Sequence, residues 1–391
     1  MGLKPGYKQT EAGAIPEDWQ AKKLGNFVSL QRGHDLTEPE RRPGNVAVMG
    51  SAGQNGFHDI ALARGPGVVV GRSGASFGQV HFCENDYWPH NTALYVTDFH
   101  GNDPRFAFYF LKALDFSRYN SGGAQQSLNR NFIYPIPIGV PDLDEQRHIA
   151  AVLSDVDALI ASLDQLIAKK CDIKQAAMQQ LLTAKLRLPG FSAKWKKCLL
   201  SELGYFSKGR GIKKDQQVPD GKPCVRYGEI YTRHNDYIRE FYSFISDEVG
   251  SGSQRLRKGD LLFAGSGETA EEIGKCVAFL GNGEAYAGGD IVIFTPSDQD
   301  SMYLGFLMNH ASITRQKARM GQGDAVVHIS AANLGRLELL LPPCPEEQTA
   351  IAKVLCDIDT EIAALEQRRD KTRLLKQGMM QELLTGKTRL I

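Results

Sequence analysis

Cysteine is scarce and scattered: seven residues (Cys83, Cys171, Cys198, Cys224, Cys276, Cys344, Cys356) in 391, odd in number and never spaced as C-x-x-C. That spacing argues against a disulfide framework or a zinc knuckle and for reduced thiols in a cytosol. Long apolar runs are missing too. No window reaches the eighteen residues a membrane span needs, and the first thirty residues lack the apolar core of a signal peptide. The expectation is a cytoplasmic chain with no membrane partner. An excess of charge of either sign is also absent: Lys and Arg number 46 against 45 Asp and Glu, a net +1. A nucleic-acid role must then rest on local clusters of cations, or on a partner that shares the phosphate neutralisation.

Catalytic signatures are missing as well. There is no G-x4-G-K-[ST] loop for ATP and no Gly-rich turn of a nucleotide-binding βαβ unit. An adenine methyltransferase would carry Asn-Pro-Pro-aromatic, but the only Pro-Pro pair is Pro342-Pro343, before Cys344. The nine histidines form no H-E-x-x-H, and neither Ser73 nor Ser266 sits in a G-x-S-x-G elbow. The chain reads as non-catalytic, with no metal or cofactor of its own.

What is there is a repeat. Residues 145–188 and 347–390 align without a gap at an offset of 202 (348 − 146), with roughly half the positions identical. Each copy predicts one long helix: a proline just upstream, carboxylates in the first turn, and apolar residues at spacings of three and four. About 40 residues at 1.5 Å each span about 60 Å, which suggests a coiled-coil-like spacer. Ile149, Val156 and Leu163 in one copy and Ile351, Ile358 and Leu365 in the other are the helix-pairing positions. The alternative is two ordinary amphipathic helices, each packed on its own domain.

A weaker repeat opens each half. Trp19, Leu24, Phe27, Leu30 and Gly33 match Trp195, Leu200, Leu203, Phe206 and Gly209 at an offset of 176 (195 − 19). The predicted order is a domain over 1–143, a spacer helix over 144–187, a second domain over 188–343 and a second helix over 344–391. The fold class is mixed α/β (α+β): two globular domains and two long antiparallel helices in a pseudo-twofold, circular arrangement. Within the first domain, Gly67–Gly71 and Asn91–Val96 read as strands and Pro104–Leu114 as a helix; the second repeats this with 260–264, 290–294 and 302–309.

Polar loops supply the candidate DNA contacts. In the first domain these are Gln125, Gln126, Ser127, Asn129 and Arg130 ahead of the long helix, with Arg72, Ser73, His90 and Asn91; Ser266, Gln322 and His328 are the counterparts in the second. Asn and Gln can pair with adenine N6/N7, and Arg with guanine O6/N7. Arg32, Arg41 and Arg42, and then Lys208, Arg210, Lys213, Lys214, Arg315, Lys317 and Arg319, are candidates for phosphate contact. A solvated turn or charged face is the plain alternative for each of them.

Along essentially its whole length the chain resembles the specificity subunits of type I restriction-modification enzymes. The carrying features are the W-x4-L frame at Trp19 and Trp195, the run Trp88 to Val96, the Pro-x4-Gln-x2-Ile element at Pro141/Gln146/Ile149 and Pro343/Gln348/Ile351, and the endings Leu181–Thr183 and Leu383–Thr385. The resemblance implies two target-recognition domains, each reading half of a split duplex DNA site. It implies helices that fix the gap and dock two methyltransferase (modification) subunits, joined by a motor-nuclease (restriction) subunit. S-adenosylmethionine, ATP and magnesium would then sit on those partners, which would also share the neutralisation of the duplex. A protein-interaction scaffold built on the paired helices, and an enzyme with an unrecognised site, are the competing readings.

Overall fold

The computed structural model describes residues 5–122, 126–323 and 326–390, which form two compact units: 1–165 with 366–391, and 166–365. The division falls within the two long helices, so each unit combines one globular layer with a stretch of both.

In the first unit, β1 (Ser29–Arg32), β2 (Gly67–Gly71), β3 (Val80–Cys83) and β4 (Ala93–Asp98) form an antiparallel sheet in the order β1-β4-β2-β3. The second unit repeats that topology with β5 (Gly204–Lys208), β6 (Leu261–Ala264), β7 (Cys276–Ala278) and β8 (Ile291–Pro296), ordered β5-β8-β6-β7. The central strands Gly67–Gly71 and Leu261–Ala264 are buried throughout, as continuous apolar runs should be. What differs is the outlying sheet. It has three strands in the first unit and five in the second, which absorbs the extra length of that domain.

Helix α1 (Pro104–Ala113) starts at Asp103, whose carboxylate accepts the Phe106 N–H. In the second unit α3 (Ser301–Asn309) starts the same way, with Asp300 accepting from Tyr303. The long helices are α2 (Leu143–Leu181) and α4 (Pro345–Leu383), each of 39 residues. Both end sooner than the repeat suggested, because a residue in the left-handed region follows: Ala184 at φ 59° and Gly386 at φ 70°. A Cβ on Gly386 would also lie 2.6 Å from Pro16, so glycine is needed there twice over.

The repeated sequence frame is the frame of each core. Trp19, Leu24, Phe27 and Leu30 are buried in the first unit, and Trp195 and Leu200 in the second. Its closing glycines let two backbones touch. Gly33 N–H donates to Ala93 and Gly209 N–H to Ile291, and a Cβ would meet the carbonyl of His90 at 2.2 Å or of Gly288 at 1.9 Å. The repeated glutamine fastens the long helix to the short one. The Gln146 side chain accepts from Asp103 N–H and donates to Asn102 and to the Pro141 carbonyl. Gln348 likewise accepts from Asp300 N–H and donates to Gln299 and Pro342.

A buried Trp–Glu–Arg cluster closes each unit. Trp19 Nε1 donates to Glu145, and Arg389 grips the same carboxylate at 2.7 and 2.9 Å and Asp18 at 2.6 and 2.8 Å. In the second unit Trp195 donates to Glu347, which Arg187 grips at 2.6 and 2.8 Å. Arg187 and Arg389 follow α2 and α4 respectively, so the segment after α4 does for the first unit what the segment after α2 does for the second.

The helices run antiparallel within each unit. Asp157 meets Lys376 and Asp164 meets Arg369 and Arg373 in the first; Lys170 meets Glu361 and Lys174 meets Asp359 in the second. The expected apolar seam is corrected in part. Leu163 is buried and Val156, Ile358 and Leu365 are half-buried, but Ile149 and Ile351 belong to the cores of the globular layers. They anchor helix to domain, because the first turns of α2 and α4 lie over α1 and α3.

Candidate nucleic-acid interface

The loops expected to read DNA come together in the first unit. Beyond β2, Ser73 forms an antiparallel bridge with Ser127, and Leu128 N–H donates to the Arg72 carbonyl at 2.8 Å. Arg72 is held at both ends, its N–H on the Thr92 carbonyl and its guanidinium on the Asn91 carbonyl, each 2.9 Å. Ser51 ties the same loops, donating to the Thr92 carbonyl while its Oγ accepts from Ser73 N–H. His90 Nδ1 lies 3.0 Å from the Thr92 hydroxyl, and burial lowers the pKa of the ring, which is therefore neutral at neutral pH.

Asn91 donates its amide to Asp35, and Arg32 pairs with that carboxylate at 3.4 Å. Arg130 donates to the Leu30 carbonyl at 2.6 Å, and Asn129 caps the short helix Arg130–Ile133. Gln126 is exposed at the rim of this cluster. Gln125 lies outside the described residues. Arg41 donates to the Asn55 carbonyl at 2.6 Å, and Arg42 is paired with Asp59 at 2.7 Å.

The second unit uses the same frame with other side chains. Ser266 pairs with His328 as Ser73 does with Ser127, and Ile329 N–H donates to the Gly265 carbonyl at 3.0 Å. The Ser266 hydroxyl lies 2.9 Å from His328 Nδ1, and His328 and Gln322 exchange backbone hydrogen bonds. Lys208, Ser266, Gln322 and His328 share one cleft of about 330 Å³ with Asp290 and Asn333. The sequence reading missed Asp290, whose φ of 60° is the local signal of an unusual turn. Arg210 donates to the Gly252 carbonyl, while Lys213 and Lys214 are exposed nearby.

Lys317 is a correction. Its side chain is 1 % exposed and its ammonium donates to the Gly274 carbonyl at 2.6 Å, so it cannot touch a phosphate. Helical geometry gives the reason. On the helix Ala311–Met320, Arg315 and Arg319 are four apart and share an exposed face, whereas Lys317 is two from each and points inward. Burial pushes its ammonium down to about 8.

Among the described residues no group of three His, Cys, Asp or Glu side chains could hold a metal ion. All seven cysteines are free, and burial pushes the Cys83 and Cys224 thiols up to about 12. No helix of the described residues is long and apolar enough to cross a membrane.

Comparison with known proteins agrees with this doubled architecture. The family model for the type I restriction modification DNA specificity domain matches twice, over residues 16–169 and 192–374, and the chain belongs to that family as a specificity subunit. It is 25% identical over 433 residues to the candidate specificity subunit of the type I restriction enzyme MjaX from Methanocaldococcus jannaschii, covering 98% of this chain and 97% of the other. The MjaVIII specificity subunit of the same organism is 20% identical over 424 residues, covering 98% and 96%. The same fold occurs in the type I restriction-modification S subunit from M. genitalium, with a TM-score of 0.66, 14% identity and 98% of each chain covered.

Proposed function

We propose that each unit reads one half of a bipartite duplex DNA target through the polar loops gathered around Ser73–Ser127 and Ser266–His328. The observation that carries this reading is one backbone frame, with the same bridge and the same hydrogen bond (Leu128 to Arg72, Ile329 to Gly265), presenting different side chains in each unit. A fixed frame with variable polar side chains suits readers of different base edges, and exposed Lys and Arg nearby suit the phosphates. The long helices set the gap, and half-sites about one turn apart, on the order of 34 Å, fit such a spacer.

On this reading the chain is non-catalytic and works in the cytoplasm. Two methyltransferase subunits dock on its helices and a motor-nuclease subunit joins them. S-adenosylmethionine, ATP and magnesium bind to those partners, which also supply part of the charge facing the duplex. The solved chain with a TM-score of 0.55 (14% identity; 96% of this chain, 99% of that one) comes from work on complex assembly of the type I restriction-modification system, which supports the assembly.

The test is to map methylated adenines in cells expressing the chain with its modification subunits. Gln126→Ala should relax bases in one half of the motif, and Gln322→Ala bases in the other. A motif unchanged at every base in both variants would overturn the assignment of these loops.

A further inference from the structure

The internal repeat lets the two units be compared loop by loop, and at one end of the main sheet they differ in charge. In the second unit residues 254–258 run beside the turn 281–283. Leu256 N–H donates to the Ala285 carbonyl at 2.8 Å and Gly259 N–H to the Phe279 carbonyl at 2.7 Å, which fixes the two segments together. Between them lies a pocket of about 530 Å³, lined by Arg255, Arg257, Lys258 and Gly281-Asn282-Gly283, and no described carboxylate lines it.

These cations are uncommitted. Arg255 and Lys258 are exposed, and their side chains make no ion pair or hydrogen bond among the described residues. Arg257 donates to the Tyr205 hydroxyl. The acids that flank the pocket in sequence are taken. Glu284 accepts from the Tyr286 hydroxyl at 2.6 Å and meets Lys222 at 3.3 Å, and Asp260 accepts from Thr295 at 2.6 Å and from Arg257 N–H at 2.7 Å. The N–H groups of Gly281, Asn282 and Gly283 donate to nothing among the described residues.

The first unit shows that the fold does not require this arrangement. Gly71 and Ala264 are equivalent, opposite Ala93 and Ile291, so Arg64 corresponds to Arg257 and Gly65 to Lys258. The facing turn there is Glu84-Asn85-Asp86. Glu84 pairs with Arg105, and Asp86 accepts from the Gly65 N–H at 2.9 Å. Two engaged acids thus stand where the second unit has glycines and free cations.

Cations gathered without acids repel one another, and an anion relieves that repulsion. Phosphate suits the groups present, since its oxygens accept several charge-assisted bonds at once from Arg, Lys and turn N–H groups. Three cations suit more than one phosphate. The base-reading loops do not use them, because β6 leads from this pocket at Asp260 to the Ser266–His328 cleft at its other end. We propose that the pocket holds adjacent phosphate groups, from the backbone of duplex DNA or from a free polyphosphate.

The test begins with calorimetric titration of the full chain with inorganic triphosphate. Saturable binding is expected, at least about ten-fold weaker in the double variant Arg255→Gln, Lys258→Gln and retained in Lys258→Arg. No saturable binding, equal binding by the double variant, or equally tight binding of sulfate would overturn the proposal. Non-target duplex, added with the modification subunits present, then separates the sources. If the backbone is the source, duplex displaces triphosphate, and the double variant lowers the salt slope of duplex binding by roughly two, at about 0.9 per phosphate. If the source is a free polyphosphate, triphosphate stays bound beside the duplex. The methylated motif should be the same in the double variant, because phosphates carry no sequence, and a changed base would overturn the proposal. Base reading itself is tested separately by Gln322→Ala.

Discussion

The ammonium of Lys376 lies 2.6 Å from both carboxylate oxygens of Asp157, and the same pair recurs with the helices exchanged, as Lys174 and Asp359 at 2.8 Å. The two pairs differ in support, since Lys174 also has Asp236. Asp157→Asn should therefore destabilise the first unit by about 1–3 kcal/mol, by leaving a largely buried ammonium unpaired. Asp359→Asn should cost the second unit less. Urea unfolding followed by hydrogen exchange in each unit measures both, and a larger loss from Asp359→Asn would contradict the account.

Removing Arg389 should act at a distance in sequence. Glu145 is 5 % exposed, and Arg389→Ala leaves that carboxylate with Trp19 alone, at a cost of about 2–4 kcal/mol. Exchange should rise around Trp19 and β1, with the second unit unchanged, and Arg187→Ala should give the opposite pattern. Asp18 adds a pH effect, because its hydrogen bonds from Arg389 hold its pKa low. A carboxyl depressed on folding contributes stability above its unfolded pKa and loses it as pH falls through the folded value. Arg389→Ala should abolish that small acid-range contribution.

Lys317 gives an alkaline signature. Its folded pKa of about 8 lies below the ordinary 10.5, so between those values the unfolded chain holds a proton that the folded chain has released. Its contribution to stability therefore rises with pH across that window. Lys317→Met should raise stability at pH 7 by on the order of 1–3 kcal/mol and flatten the alkaline rise, while DNA affinity stays the same. Thermal melts from pH 7 to 10.5, with a DNA titration at fixed salt, check both halves.

Ile173 and Leu375 are equivalent positions on α2 and α4, exposed by 43% and 61%. If each marks a docking face for one methyltransferase subunit, Ile173→Glu should remove one copy from the complex and Leu375→Glu the other. Native mass spectrometry of the single and double variants reads the stoichiometry. Retention of two copies in the double variant would exclude these faces.

Much of the fold was legible because the sequence is written twice. Trp19 and Trp195, Gln146 and Gln348, Glu145 and Glu347, and Arg187 and Arg389 are identical pairs that make corresponding contacts in both units, with Asp18 an additional partner of Arg389 alone. Charged residues retained in both copies of an otherwise diverging helix were the available sign of buried ion pairs. An apolar-periodicity reading passes over them, and it also assigned Ile149 and Ile351 to a helix seam. Lys317 could have been placed by its spacing from Arg315 and Arg319. The candidate DNA-reading loops were legible only as polarity, because loop conformation depends on contacts such as Arg72 to Asn91 that no local pattern encodes.

The Arg389 clasp also sets an order of manufacture. Leu383, Leu384 and Arg389 complete the core and the closing cluster of a unit whose other residues precede the second unit, whereas the second unit is one continuous segment, 166–365. As the polypeptide emerges from the ribosome, the later unit has all its parts first. The first unit must wait, with the cluster around Trp19 incomplete, until the segment after the second unit follows. Of the two units, the one started earlier is sealed later.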